Sequence, residues 1–196
     1  MPRRRVPSDR PLAWLFWLLS LLFRLLFTAA FGLRFNKPEE IRRLRGPLVV
    51  IGNHPSYFDP FLTAAALFPW RINYVTSHSF FRNPVLRFLL GKLGAIPKIQ
   101  FRSDLQAMKH MLRVIRSGGI LGIYPEGQRS LDGGRQTVDE AIAKLVSKLG
   151  CPVVAVHDSG GYLTWPRWSQ SRWRRGRIKV EISVLFTPEQ LAGLDV

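Results

Sequence analysis

The chain has 196 residues, a length typical of one domain with a short appendage, and 46% of them are hydrophobic, which excludes a disordered chain. Its 29 Lys and Arg residues against 13 Asp and Glu give a net charge of +16, and a chain both this basic and this apolar suits an anionic membrane surface or a nucleic acid. The single cysteine, Cys151, excludes an intrachain disulfide framework and a zinc site built from several cysteines.

The amino-terminal segment is predicted to be embedded in a membrane. Residues 12–33 form a run of 22 residues with one charge, Arg24, which is long enough to cross the hydrocarbon core of a bilayer. A single span would leave one of two flanking basic clusters on the wrong side, whereas a helix or re-entrant hairpin in one leaflet keeps both on the cytoplasmic side. A true span, or a signal peptide with a poor cleavage site at 28–30, is the alternative. The basic clusters are Arg3, Arg4 and Arg5 before the run and Arg34, Lys37, Arg42, Arg43 and Arg45 after it.

The rest of the chain alternates predicted strands and helices. Short apolar or alternating runs predict strands at 48–52, 72–76, 120–124, 153–156 and 178–186. Helical spacing and helix-start signals predict helices at 59–68, from 84 to between 91 and 94, from 105 to the pair Gly118-Gly119, at 138–149, and from Pro188 onwards. The start signals are Asp59 as an N-cap, Asn83-Pro84, and capping boxes at Ser103–Gln106 and Thr137–Glu140.

This alternation predicts the fold class and the division of the chain. Strand–helix–strand units favour an α/β fold, a largely parallel sheet flanked by helices, here preceded by the membrane-embedded helical segment. We therefore expect a basic and hydrophobic anchoring segment over 1–45 and a catalytic or binding domain over 46–196.

The loop NHPSYFDP, residues 53–60, follows the first predicted strand and carries a candidate catalytic pair. A His beside a carboxylate is the usual general base, because one ring nitrogen takes a proton while the carboxylate fixes the other, and His54 and Asp59 lie five residues apart. The alternative is a structural loop histidine followed by a simple N-cap. Ser56 lacks the G-x-S-x-G context of a serine nucleophile, so direct attack by a substrate hydroxyl is the simpler mechanism.

The loop YPEGQRS, residues 124–130, follows another predicted buried strand. Gly127 permits a sharp backbone turn, and the guanidinium of Arg129 can bind a phosphate through two hydrogen bonds. Glu126 is suited to hold Arg129 or a substrate hydroxyl. The alternative is a surface turn with a local ion pair.

Together these loops resemble the motifs of the glycerolipid acyltransferases, the 1-acylglycerol-3-phosphate acyltransferase family. NHPSYFD resembles the family's N-H-x-x-x-x-D signature, and YPEGQRS resembles its E-G-T-R-S block with Gln128 in place of Thr. Residues 94–104 resemble the Gly-to-Arg substrate block, and residues 151–168 resemble the fourth block. The resemblance covers 46 to about 186, and it makes 46–196 an acyltransferase domain of α/β fold.

The resemblance also implies a mechanism. His54 would deprotonate the free hydroxyl of a lysophospholipid, and Asp59 would orient His54 and stabilise its imidazolium form. The oxygen would attack the thioester of acyl-CoA or an acyl carrier protein, which is a substrate, so neither a cofactor nor a metal ion is expected. The residues expected to bind the substrate and its phosphate are Lys98, Arg102, Glu126, Gly127 and Arg129.

These features predict an enzyme at the cell membrane, with its active site on the cytoplasmic face. Membrane lipids, the lysophospholipid acceptor and the acyl donor are the expected partners, and nucleic acid is not. Three rival interpretations remain. The Trp- and Arg-rich segment 165–177 is also compatible with nucleic-acid binding. The protein could also be a membrane-binding scaffold without catalysis. Finally, the variant residues Gln128 and Ala155 are compatible with an acyltransferase that uses a different lyso-lipid acceptor.

Overall fold

The computed structural model describes residues 10–134, 136–138, 140–165, 174 and 176–193. Arg3–Arg5 and most of the segment 165–177 lie outside the described residues. The strands are β1 Arg34–Asn36, β2 Leu48–Gly52, β3 Ile72–Ser77, β4 Ile96–Lys98, β5 Ile120–Ile123, β6 Val153–Ser159 and β7 Lys179–Phe186. The helices are α1 Ala13–Phe31, α2 Glu39–Arg43, α3 Asp59–Ala66, α4 Pro84–Lys92, α5 Leu105–Arg116, α6 Glu140–Leu149, α7 Gly161–Thr164 and α8 Pro188–Ala192, with a 3₁₀ helix at His78–Arg82.

The strands form one sheet in the order β1-β7-β6-β2-β5-β3-β4. Neighbouring strands are parallel except β6 and β7, which are antiparallel. The predicted α/β class with a largely parallel sheet is therefore confirmed. Because β2 and β5 are paired and parallel, the loops that follow them leave the same edge of the sheet side by side.

Two apolar cores cover the two faces of this sheet. Right-handed crossovers place α3 and α4 on one face and α5 and α6 on the other, because the chain moves towards β4 in the first case and back towards β6 in the second. The first core joins α1 and α3 to the sheet, and the second joins α5 and α6 to it. The edge of the sheet from which the loops after β2 and β5 leave is thus supported by packed helices on both faces.

Helix α1 packs on the α/β body along its whole length. Phe16, Ser20, Phe27 and Phe31 are buried, and their spacing places them on one side of the helix. The ring of Phe27 lies 5.0 Å from that of Phe58, in the loop after β2. The division at residue 45 stays a prediction, but β1 pairs with β7 and so brings a strand of the amino-terminal segment into the sheet.

Three helix starts differ from their predictions. Asp59 is the first residue of α3, which Phe58 precedes, so the Asp59 carboxylate is not the N-cap. The N-cap of α5 is Asp104, whose side chain accepts from the Ala107 backbone N–H, and not Ser103. Helix α6 begins at Glu140, so Glu140 is not the third residue of a helix capped by Thr137. At α3 the Asp59 carboxylate is engaged by His54 and Ser56 instead of the helix start, and at α5 the carboxylate of Asp104 takes the capping position next to Ser103.

Candidate active site

The loop after β2 brings His54 and Asp59 into direct contact. Asp59 Oδ2 lies 2.6 Å from His54 Nδ1, and the two side chains are 16% and 1% exposed for His54 and Asp59 respectively. A hydrogen bond at Nδ1 fixes the tautomer of the ring and leaves Nε2 as the nitrogen that can take a proton. The predicted pair is therefore assembled in the geometry of a general base.

Ser56 holds the Asp59 carboxylate from the other side. Its Oγ donates to Asp59 Oδ1 at 2.6 Å, and its backbone N–H donates to Asp59 Oδ2 at 3.0 Å. The same Oγ accepts from the backbone N–H of Phe58 at 3.0 Å. The sequence analysis found no role for Ser56, although a Ser three residues before an Asp at a helix start is a recognisable hydrogen-bonding pattern.

The loop after β5 fixes the backbone and the ring of His54. The Ser130 N–H donates to the His54 carbonyl at 2.8 Å, and the His54 N–H donates to Glu126 Oε1 at 3.4 Å. The ring of Tyr124 stacks on the imidazole at 4.3 Å between centroids, and its hydroxyl lies 3.2 Å from Thr63 Oγ1. The two motif loops therefore form one site, in which Glu126 contacts the backbone of His54.

Arg129 is held against an aromatic ring of the first loop. Its Cζ lies 3.7 Å from the centroid of the Tyr57 ring, a cation–π contact that holds the guanidinium over the ring. Gly127 has φ of +68° and its N–H donates to the Tyr124 carbonyl, so it makes the turn expected of it. Gln100, which the sequence analysis missed, donates from Nε2 to the Gly127 carbonyl at 2.8 Å.

Lys98 and Arg102 flank Gln100 but lie less centrally. Lys98 ends β4, and its ammonium donates to the carbonyl of Ile99 at 3.5 Å. Arg102 is exposed. Among the described residues, no hydrogen bond or ion pair joins either side chain to His54 or Asp59. Of the hydrogen bonds described here, only the one from Gln100 to the Gly127 carbonyl joins the loop of Lys98 and Arg102 to the site.

A second buried aspartate, Asp158, completes the site and was not predicted. Asn53 binds the backbone of Asp158 by two hydrogen bonds of 2.8 Å, from Asn53 Nδ2 to the carbonyl and from the Asp158 N–H to Asn53 Oδ1. The Asp158 carboxyl is buried near that of Asp59, and its Oδ1 accepts from the Gly161 N–H at 3.3 Å. The sequence feature that could have pointed to this contact is Asn53, just before His54, because a side-chain amide can hydrogen bond to the backbone N–H and C=O of a neighbouring strand.

Burial dominates the electrostatics of the site. Burial and then the charge of Arg129 lower the pKa of His54 to about 3, against the raising effect of Glu126, so the imidazole is neutral at physiological pH. Burial raises the pKa of Asp59, against the lowering effect of its hydrogen bonds to Ser56. Burial and the neighbouring Asp59 raise the pKa of Asp158. Among the described residues, no group of three or more His, Cys, Asp or Glu side chains is arranged to hold a metal ion.

Comparisons with known proteins point to one family. The family model described as Acyltransferase matches residues 32–157. The chain is similar to the chloroplastic 1-acyl-sn-glycerol-3-phosphate acyltransferase BAT2 of Brassica napus, with 24% identity over 138 residues, 69% of this chain and 40% of that protein. It is also similar to the 1-acyl-sn-glycerol-3-phosphate acyltransferase of Borreliella burgdorferi, with 28% identity over 111 residues, 56% of this chain and 44% of that protein.

The fold is shared with a solved acyltransferase structure. The 1-acyl-sn-glycerophosphate (LPA) acyltransferase PlsC from Thermotoga maritima superposes with a TM-score of 0.77 over 92% of this chain and 71% of that chain, at 19% identity. The matched part of this chain spans less than half the length of the two curated relatives.

Proposed function

This chain belongs to the acyltransferase family, and we propose that it moves a fatty acyl group from acyl-CoA or acyl carrier protein to the free hydroxyl of a lysophospholipid. The proposed acceptor is 1-acylglycerol-3-phosphate, and the product is phosphatidic acid. The observation that carries the proposal is the 2.6 Å contact between His54 Nδ1 and Asp59 Oδ2, which leaves His54 Nε2 to act as a base. The printed names of the curated relatives support the choice of acceptor.

The reaction moves one proton from the acceptor hydroxyl to His54 and then from His54 to the leaving thiolate. His54 Nε2 removes the proton from the acceptor hydroxyl while the oxygen attacks the thioester carbonyl. The ionised Asp59 stabilises the imidazolium that forms, as in other His–carboxylate pairs. When the tetrahedral intermediate collapses, the C–S bond breaks and the thiolate takes the proton back from His54. Burial keeps the imidazole of His54 neutral before the reaction, so Nε2 can accept the proton, and the ionised Asp59 offsets the weak basicity that burial imposes.

Arg129 is the proposed anchor of the acceptor phosphate. Its guanidinium is oriented by the Tyr57 ring, and a planar fork with a fixed direction binds a phosphate better than a flexible ammonium does. Glu126 and Gly127 position the loop that carries it, while Lys98 and Arg102 supply further positive charge on the neighbouring loop held by Gln100.

A lipid acceptor also requires contact with a membrane, and α1 is the proposed anchor. It is the one helix among the described residues that is long and apolar enough to span a bilayer. Yet one side of α1 is buried against the α/β body over its whole length, whereas its other side exposes Trp14, Leu18, Leu25 and Leu26. This arrangement favours a helix that lies in one leaflet over a span. We place the site on the cytoplasmic face, where basic clusters flanking an apolar segment belong.

The proposal is tested by an assay of the purified full-length protein in lipid vesicles. Labelled acyl-CoA and acyl carrier protein are each offered with a panel of lyso-lipids, and His54→Ala serves as the matched blank. We expect transfer to 1-acylglycerol-3-phosphate, and a loss of about 10²–10⁴-fold in the variant. If the protein transfers the acyl group only to a different lyso-lipid, that lipid is the acceptor. Gln128, which stands in place of the family's Thr in the loop that carries Arg129, is the specific reason to include this alternative. Retention of more than about a tenth of the activity by His54→Ala would refute the general-base role.

A further inference from the structure

Helix α4 exposes an apolar side that no other element in the described part of the chain covers. None of its residues is buried, and Val85 and Phe88 are 72% and 69% exposed. Leu86 and Leu89 are also exposed. Four large apolar side chains on one nine-residue helix form a continuous patch rather than scattered surface residues, and such patches mark interaction sites.

The exposure of α4 does not come from a loose attachment. Asn83 Oδ1 caps the helix by accepting from the N–H groups of Val85 and Leu86. At the other end, the Lys92 carbonyl accepts from the N–H of Leu12 at 2.8 Å, and the Ala95 N–H donates to the Leu90 carbonyl. The patch is therefore presented by a helix that is fixed at both ends.

Helix α4 is joined at its end to the start of α1, which also exposes apolar side chains. Both helices lie on the same face of the sheet, and the bond between Leu12 and Lys92 joins the start of α1 to the end of α4. The start of α4 follows β3 and the 3₁₀ helix, so it lies at the edge of the sheet that carries His54. Both helices therefore present exposed apolar side chains on this face of the sheet, and the start of α4 brings some of them to the catalytic edge.

The charges around this surface identify what it contacts. All the charged side chains in α1, α4 and the 3₁₀ helix are Lys or Arg. An apolar helix face bordered by cations fits the boundary between the acyl chains and the anionic headgroups of a bilayer. The cations are Arg24, Arg82, Arg87 and Lys92.

We propose that α4 is a second interfacial anchor, which inserts Val85 and Phe88 into the same anionic leaflet that holds α1. The inference deepens the proposed function, because two anchors fix the angle of the catalytic edge to the membrane where one helix would allow rotation about its axis. A lysophospholipid then reaches His54 without leaving the leaflet.

The test places a fluorophore on α4 in the full-length protein. Phe88→Cys is labelled with an environment-sensitive nitrobenzoxadiazole group, and Leu185→Cys is the matched control, since Leu185 is exposed on β7 and alternates with residues that pack towards α1. Cys151 is buried and burial raises the pKa of its thiol to about 11, so labelling is confined to the introduced cysteine.

With vesicles of phosphatidylcholine and phosphatidylglycerol, we expect the label at 88 to shift to the blue and to be quenched by nitroxides on the acyl chains. The label at 185 should show neither effect. A label at 88 that stays in water on vesicle-bound protein would overturn the proposal. Shielding at 88 that depends on protein concentration without vesicles would overturn it in favour of a second copy of the chain.

A second measurement uses binding alone. Phe88→Glu should weaken partitioning of the full-length protein into these vesicles by about tenfold or more, because it removes a large apolar group and adds a charge of the wrong sign. Leu185→Glu should leave partitioning within about twofold, as expected away from the membrane surface. Equal partitioning of the two variants would contradict the role of α4. No acyl transfer is measured, so these outcomes stand whether or not the acyltransferase proposal holds.

Discussion

Asp158→Asn should raise the free energy of unfolding at neutral and alkaline pH. The native carboxyl is 6% exposed, and its burial together with the charge of the neighbouring Asp59 disfavours its ionised form in the folded protein. An asparagine keeps the shape of the side chain without carrying a charge. Its backbone bonds to Asn53 are unaffected by the change.

The sign and size of this effect follow from proton binding. Below the usual pKa of 3.8, the carboxyl is protonated in both the folded and the unfolded chain. In this range its ionisation therefore makes little difference between the free energies of unfolding of the native protein and of Asp158→Asn. As the pH rises towards the folded pKa, about 8, the unfolded chain releases the proton and the folded chain retains it, so native stability falls. Each pKa unit is worth about 1.4 kcal/mol. Because the buried amide has its own desolvation cost, we expect a net gain of a few kcal/mol above pH 8.

The assay is thermal unfolding of both proteins in detergent from about pH 4 to pH 9. At this chain length a few kcal/mol corresponds to a rise in Tm of about 5–10 °C. Asp132→Asn provides a control of opposite sign, because hydrogen bonds from Gly134 and Ser130 lower the pKa of Asp132 and its charged form stabilises the native protein above the usual pKa. A stability difference between Asp158→Asn and the native protein that does not grow with pH would refute the raised pKa of Asp158.

Four further outcomes are expected. Arg129→Lys should raise the KM for 1-acylglycerol-3-phosphate about tenfold or more, because it loses the planar fork and the contact with an aromatic ring, and an effect on the acyl donor alone in steady-state kinetics would reassign Arg129. Ser56→Ala should lower the free energy of unfolding by about 1.5–3 kcal/mol in denaturant titrations and also reduce kcat, whereas the exposed Ser79→Ala should change stability by less than about 0.5 kcal/mol. The kcat/KM of the native enzyme should fall at acid pH with an apparent pKa well above the usual 3.8 of an aspartate, because burial raises the pKa of Asp59 and a protonated Asp59 cannot stabilise the imidazolium of His54; a half-loss only at about pH 4 would contradict this. The full-length protein should float with anionic vesicles in about 1 M salt and in the presence of DNA, because salt screens its charges but not the apolar contacts of residues 12–33; release by either would revive nucleic-acid binding.

The order of strands and helices was predictable because it depends on local signals. Short apolar runs such as 48–52 and 120–123 can be recognised without knowing their partners, and so can the Pro at the start of α4. Strands β1 and β4 were missed because each has three residues, too few for a period to be visible. Val138 was placed on the stripe of α6 but lies outside that helix and is exposed.

The candidate site was predictable only where its residues are close in sequence. His54 and Asp59 share one loop, so their contact could be expected from a motif. The direction of the Asp59 carboxylate could not, because it depends on whether Ser56 or the first turn of α3 takes its hydrogen bonds. Asp158 could not be found either, since it joins the site through the pairing of β2 with β6, more than a hundred residues along the chain.

That long-range pairing explains why a loop histidine can serve as a base. A loop alone would let the imidazole move, and small misplacements of a catalytic group are costly. Here the neighbours of β2 in the sheet hold the loop on both sides: Ser130, after β5, binds the His54 carbonyl, and Asp158, on β6, binds the side chain of Asn53, the residue before His54. The position of His54 therefore depends on the register of three adjacent strands. A substitution that shifts β6 against β2 would displace the base without touching either motif loop.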